Sequence, residues 1–349
     1  MAQNFASLQE IYDHGFDTVI DVRSPAEFAE DHLPGAINLP SLSNEERAEV
    51  GTLYKQNPFL ARKLGASLVL NNIADHVKGP LKDFDGAWRP LVYCWRGGQR
   101  SGVFSTILKE IGWRAETIKG GYQTYRRLIY SSLYEANLDH KLILLDGYTG
   151  TAKTALLPML QDIDVQTIDL EGLAGHRGSL LGAMPGGQPS QRMFETTLAQ
   201  ALAQLDPKRP TVVEAESNKI GRINLPPALW KKMIVAPRIS LTASIDARTE
   251  FLTKAYGDIL RDAKTVRERL HPLRRIRGHA VVDQWQALQD AGDYSGLARA
   301  LMVDHYDPAY SKSRTSKTPQ ILADIAMDSL CDAGLSKTAQ QIKDALNAA

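Results

Sequence analysis

The segment LVYCWRGGQRS (91–101) restricts the fold more than any other stretch of the chain. The apolar run 91–94 reads as a buried strand. Two residues further on come two glycines, Gly97 and Gly98, and a helix is expected from about 101 to 111. A strand, a tight loop and a helix in that order point backbone N–H groups into one concavity, which binds anions. Such a turn belongs at the carboxyl end of a strand in a parallel α/β sheet.

The flanking patterns agree with that sheet. Residues 18–22 read as a strand ending at Asp21. A helix start follows, with Ser24 as N-cap, Pro25 at the first helical position and Glu27 at the third. Residues 33–40 read as a turn and a short strand. Helical patterns cover 44–57 and 58–77, and 117–119 reads as another strand.

A second α/β unit opens at about residue 141. Strands are expected at 142–146, 211–214 and 238–243, and the chain reads as mainly helical from about 247 onward. The expected organisation is a domain over 1–135 and a second over 136–349, with the linker somewhere in 128–140. At 349 residues, two domains each have enough chain for a core.

Cys94 carries the first chemical expectation. A cysteine on a strand is most often a small buried hydrophobe. Here Gly97 and Gly98, together with Arg96, Arg100 and a helix start, form a setting that lowers a thiol pKa. Gln99 and Ser101 complete the expected anion loop. The thiolate is then an activated nucleophile.

Five residues separate Cys94 from Arg100. That spacing suits a loop that cradles a tetrahedral phosphate. Two readings stay open: a cysteine phosphatase, or an enzyme that takes a chalcogen from a phosphate-bearing donor.

GYTGTAKT (147–154) is the second chemical signature. It follows the expected strand 142–146 and opens a helix, as a phosphate-binding P-loop requires. Gly147, Thr149, Gly150, Lys153 and Thr154 are the expected diphosphate-binding residues, with Thr154 able to hold Mg²⁺. Ala152 stands where the pattern asks for glycine, at a cost of about 1 kcal/mol if the position needs positive φ. Glu214 and Glu216, after the strand 211–214, are the acidic partners expected of such a loop. An acidic residue at a strand end is equally often solvated surface.

Composition sets limits on partners. Forty-one lysines and arginines oppose 40 acidic residues, a net charge of +1, so nucleic-acid binding would need a local patch. The clearest is 261–277, with Arg261, Lys264, Arg267, Arg269, Arg274, Arg275 and Arg277 against Asp262 and Glu268. A solvated helix face is the plainer explanation of that run. No His or Cys cluster has metal-ligand spacing. The opening MAQNFASLQEIYDHG lacks an apolar leader core, and no run spans a membrane. The expectation is a cytoplasmic protein with Cys94 and Cys331 both reduced.

Further segments identify a resemblance. DVRSPAEF (21–28) and HLPGAINLP (32–40), with the Cys94 loop, resemble rhodanese-like domains. In order along the chain follow the P-loop, DLEGLAGHRGS (169–179), EAESNKIGRINLP (214–226) and HYDPAY (305–310). From about Asp21 to Tyr310 the sequence resembles the bacterial tRNA 2-selenouridine synthase family.

That resemblance implies a rhodanese-like parallel-sheet domain, then a P-loop NTPase-like α/β domain with a helical C-terminal part. It implies a transferase acting on tRNA with 2-thiouridine at the wobble position. Selenium would come from selenophosphate, by way of a geranylated intermediate made from geranyl diphosphate, and no tightly bound cofactor is implied. Cys94 matches the family's catalytic cysteine and would receive the selenium, while the P-loop would grip the diphosphate. His176 and Arg177 would contact the diphosphate or polarise the uridine carbonyl, unless they only cap a loop. Residues 51–58 and Gly65 would line a prenyl or tRNA channel, and with a tRNA substrate Arg261, Lys264, Arg267, Arg274, Arg275 and Arg277 would contact its phosphates rather than form a merely solvated face. Asp21 and Arg23 would be structural.

Overall fold

A computed structural model describes residues 2–314 and 320–348. The chain forms two compact units. One comprises residues 1–136 together with 189–203, the other residues 137–188 and 204–349.

Unit one is built on a five-stranded parallel sheet. Its order is Ala2–Gln3, Glu116–Ile118, Pro90–Tyr93, Thr18–Asp21, Ile37–Asn38. All four residues of the central strand Pro90–Tyr93 are buried, as a strand covered on both faces must be. The core joins Ile20, Val22, Val92, Phe104, Leu108 and Trp113. Helices Asn44–Gln56 and Pro58–Lys78 pack as a hairpin, each capped by a side chain: Ser43 with Glu46, and Asn57 on the Leu60 amide.

The units divide after residue 136, inside the stretch 128–140 where the linker is expected, and two details differ. The expected linker is helical for most of its length: Gly121–Tyr130 is an α-helix that continues as a π-helical turn, Ser131–Glu135. No Pro or Gly interrupts 122–135, so the helix runs on. The second difference is Gln191–Ala203, a helix lying between stretches of unit two that folds with unit one. It buries Phe194, Leu198 and Leu202.

Unit two also has a parallel five-stranded sheet. Its order is Ile321–Met327, Arg238–Ala243, Lys141–Gly147, Pro210–Glu214, Gln166–Ile168. The edge strand Ile321–Met327 lies inside the stretch expected to be helical. Its sequence, ILADIAM, has no strict alternation and two alanines, and only pairing with Arg238–Ala243 makes it a strand. Leu145, Leu156, Ile239 and Ile342 belong to the sheet core, and a separate helical core surrounds the fully buried Trp285.

In each unit a phosphate-type loop leaves the carboxyl end of an interior strand. Cys94 follows Pro90–Tyr93, and the P-loop follows Lys141–Gly147. Ligands of open parallel sheets bind at this edge.

Candidate functional site: two anion cradles

The Cys94 loop is shaped by glycines. Gly97 has φ of +63°, and a Cβ there would lie 2.5 Å from the Ile118 carbonyl. Gly121, also at positive φ, presses against the Cys94 carbonyl. The amides of Tyr122 and Gln123 then donate to the carbonyls of Cys94 (2.9 Å) and Trp95 (3.0 Å). The pair Gly120–Gly121 therefore holds the loop from below, a role the sequence reading missed; its signal was a Gly-Gly immediately before a helix.

Cys94 is 3% exposed. Burial pushes its thiol pKa up. The Ser101 hydroxyl (3.2 Å from Sγ), the amides of Ser101 and Gly98, and the Arg100 charge outweigh it, and the net shift is downward. Helix Gln99–Ile111 starts at this point and places Ser101 in its first turn.

The two arginines differ in setting. Arg100 is largely buried and pairs with Glu27 at 3.2 Å, while Arg96 is exposed. Both line a cleft of about 710 Å³ with Cys94, Gly98 and Gln99. Glu27 was expected only as a capping residue, and it does cap: the Ser24 amide donates to it. Asp21 and Arg23 are fully buried and doubly hydrogen-bonded beneath Tyr122, so they support the loop and face no cleft.

The residues around Gly51 and Gly65 line a different concavity, an apolar groove with Tyr54, Leu70 and Val103. The groove shares Arg47, Gln99 and Arg100 with the Cys94 cleft.

In unit two the P-loop has the expected strand–loop–helix form, from Lys141–Gly147 to Lys153–Asp162. Ala152 has φ of +56°, so the position does demand the left-handed conformation. Lys153 Nζ donates to the Gly147 carbonyl at 2.8 Å.

The HYDPAY segment clamps the loop from behind. Buried Arg248 donates to the Thr149 carbonyl (3.1 Å) and forms a two-pronged pair with Asp307 (3.0 and 2.7 Å), while the Tyr310 hydroxyl accepts the Gly147 N–H (3.0 Å).

The acidic expectations separate. Glu214 is fully buried and accepts the Leu170 N–H at 3.1 Å; burial and Asp169 hold its carboxyl well above the carboxylate range. It is part of the scaffold. Glu216 lines the P-loop cleft with Glu171, whose carboxylate accepts the Thr154 hydroxyl at 2.8 Å. Burial first, and then the neighbouring carboxylate of Glu171, push Glu216 up to about 8; Glu171 is also raised, chiefly by burial. Sequence reading missed Glu171, although it lies in the 169–179 segment.

Arg177 lines the same cleft, paired with Asp258 (2.9 Å) and set over the Tyr256 ring. His176 forms a β-bridge with Ala183, and burial lowers its pKa. Met184, Phe251, Leu252, Tyr256 and Tyr306 give the cleft a largely apolar side, with Asp169 and Ser179 also in its lining. A small apolar cavity bounded by Leu252, Leu260, Leu301 and Met302 adjoins it through Thr149, Ser179 and Tyr256.

The expected basic patch is divided among short helices, and three of its seven cations are internally paired. Arg267 binds Asp290, Arg274 binds Asp283, and Arg277 donates to His305. Arg261, Lys264, Arg269 and Arg275 are exposed. Among the described residues no group of three or more His, Cys, Asp or Glu could hold a metal, and no helix is long and apolar enough to cross a membrane.

Comparison with known proteins bears on both units. A family model for the rhodanese-like domain matches residues 4–128, and one for the tRNA 2-selenouridine synthase AAA domain matches residues 140–271. The protein named tRNA 2-selenouridine synthase in Hahella chejuensis is 32% identical over 333 residues, spanning 87% of each chain. Its counterpart in Alcanivorax borkumensis is 33% identical over 337 residues, covering 87% of this chain and 91% of that one. The Chromohalobacter salexigens protein is 35% identical over 326 residues, 84% and 86% of the two chains. A rhodanese-like unit, a P-loop unit and similarity along nearly the whole chain lead to one conclusion: this protein belongs to the tRNA 2-selenouridine synthase family.

Proposed function

We propose that this enzyme replaces the sulfur of 2-thiouridine, at the wobble position of tRNA, with selenium from selenophosphate, through an S-geranyl intermediate made from geranyl diphosphate. The observation that carries the proposal is a chain with two anion cradles of different chemistry. One holds a thiol with a depressed pKa; the other holds Lys153 and an apolar wall. A nucleoside base would want polar groups to read its edges, whereas a wall of Phe251, Leu252 and Met184 suits a hydrocarbon tail.

In the first step the uridine sulfur attacks C1 of the geranyl group, a C–S bond forms, and diphosphate leaves. Lys153 and the loop amides take up the charge that develops on the leaving group. Thr154 and the neighbouring carboxyls of Glu171 and Glu216 offer the hard oxygen donors that suit Mg²⁺, and the Glu171 charge that helps to raise the Glu216 pKa would be offset by a cation beside them. A bound cation would supply further charge neutralisation on the diphosphate.

In the second step Cys94 opens the selenium donor. Attack of the thiolate on phosphorus forms an S–P bond, breaks P–Se and releases hydroselenide, with no change in oxidation state. Attack on selenium would instead leave a selenosulfide that needs a reductant, so electron balance favours phosphorus. Hydroselenide adds at C2 of the uridine, the C–S bond breaks, geranyl thiol departs, and water clears the phosphocysteine. A tRNA substrate and two free thiols fit a cytoplasmic enzyme.

The test uses tRNA bearing either 2-thiouridine or its S-geranyl form. Lys153→Ala should lose geranylation yet still selenate the pre-geranylated tRNA, and Cys94→Ala should do the reverse. Loss of both activities in both variants would reject the division of labour. Rapid turnover of an aryl phosphate without any tRNA product would instead favour a cysteine phosphatase, the reading that the five-residue spacing also allows.

A further inference from the structure

Unit one carries a concavity of about 1160 Å³ that neither step above uses. Trp95 lines both this concavity and the Cys94 cleft, so the two are neighbours across one side chain. Its other walls include Lys119, Arg126, Arg127, Tyr130 and Arg192.

Charge and aromatic surface occur here together. Lys119 and Arg127 are exposed and have no carboxylate partner among the described residues; Arg127 is steadied by the Thr124 hydroxyl at 3.1 Å. Arg126 and Arg192 are committed elsewhere, to Asp31 and Glu195 and to Glu30. Tyr130 stacks in parallel on Tyr134, with ring centroids 4.7 Å apart, and half of its surface stays open. Arg127 and Tyr130 are three residues apart on one helix and so share a face. Unpaired cations interleaved with backed aromatic rings are what an unpaired nucleic-acid strand requires: cations for phosphates and π-faces for bases. With a net charge of only +1, strand binding has to rest on such a local feature.

We propose that this cleft holds the unpaired nucleotides beside the modified base: phosphates on Lys119 and Arg127, bases stacked on Trp95 and Tyr130. The inference rests on the tRNA reading given above and adds the surface that presents the wobble base to Cys94. Trp95, one residue from the nucleophile, is the last stacking platform before it.

The experiment titrates the full-length protein with a fluorescent anticodon stem-loop RNA containing 2-thiouridine, by anisotropy over a range of salt. The double variant Lys119→Ala/Arg127→Ala should bind about tenfold more weakly at 0.15 M salt. Its plot of log affinity against log salt should be shallower by about 1.4, the value for two single-strand phosphate contacts. Tyr130→Ala should weaken binding by about fivefold or more. Unchanged thermal unfolding and an unchanged rate of Cys94 alkylation would show that the fold and the neighbouring loop are intact.

Wild-type binding with equal affinity and slope in the double variant would overturn the surface and leave the tRNA reading standing. Wild-type protein that binds no RNA at all would overturn both. Competition by polyglutamate as effective as by unlabelled RNA, with no effect of Tyr130→Ala, would assign the cleft to an acidic protein and also overturn the proposal.

Discussion

Single atoms set the chemistry of Cys94. Its thiolate is favoured by a hydroxyl and two amides, and burial opposes them. Ser101→Ala should therefore raise the Cys94 pKa and slow its alkylation at neutral pH roughly tenfold, the worth of one hydrogen bond to a charged group. The pH dependence of the iodoacetamide rate reads this directly.

Glu216 makes the opposite case. Its folded pKa is raised from 4.5 to about 8, so the folded state holds a proton that the unfolded chain has lost. Its contribution to stability is complete below about pH 4.5 and is lost as pH rises through about 8. The slope is at most about 1.4 kcal/mol per pH unit. Glu216→Gln should flatten that part of the stability–pH curve, measured by denaturant unfolding at several pH values, and should make the protein more stable than wild type at pH 8.

At the scale of elements, Ala152 explains how a P-loop tolerates a departure from its pattern. A left-handed alanine costs roughly 1–2 kcal/mol. The same methyl group is 5% exposed and packs in the sheet core, which returns about 0.8 kcal/mol. Ala152→Gly should consequently shift stability by less than about 1 kcal/mol in denaturant titrations. Ala152→Val, β-branched at positive φ, should cost at least about 2 kcal/mol. Capping at Ser24, Ser43 and Asn57 could be read or reasoned from local sequence because caps act over three residues. The edge strand Ile321–Met327 could not, because its partner Arg238–Ala243 is some 80 residues away in the chain.

At the scale of the molecule, the helix Gln191–Ala203 has the largest consequence. It returns to unit one and places Glu195 against Arg126 and the Tyr134 hydroxyl (2.7 Å). A fragment ending at residue 136 leaves Arg126 without that partner and exposes the surface that Phe194 and Leu198 help to cover. Such a fragment should unfold at a lower temperature than unit one does in the full chain, and adding a 189–203 peptide in trans should recover part of the difference in calorimetry.

The amino-acid sequence alone determined the two parallel α/β units, the cysteine loop and the P-loop. Each of these is a local pattern: an apolar run, glycines at fixed offsets and a helix start. Tertiary structure decided which charged residues are available for chemistry. It buried Glu214 under the sheet edge and brought Glu171 to Glu216 beside Lys153. It paired Arg100 with Glu27, gave three of the seven cations of the 261–277 patch internal partners, and left Lys119 and Arg127 open in the concavity that shares Trp95 with the Cys94 cleft. Local backbone geometry follows from neighbours in the chain, whereas the neutralisation of a charge depends on what folding brings within about 4 Å of it.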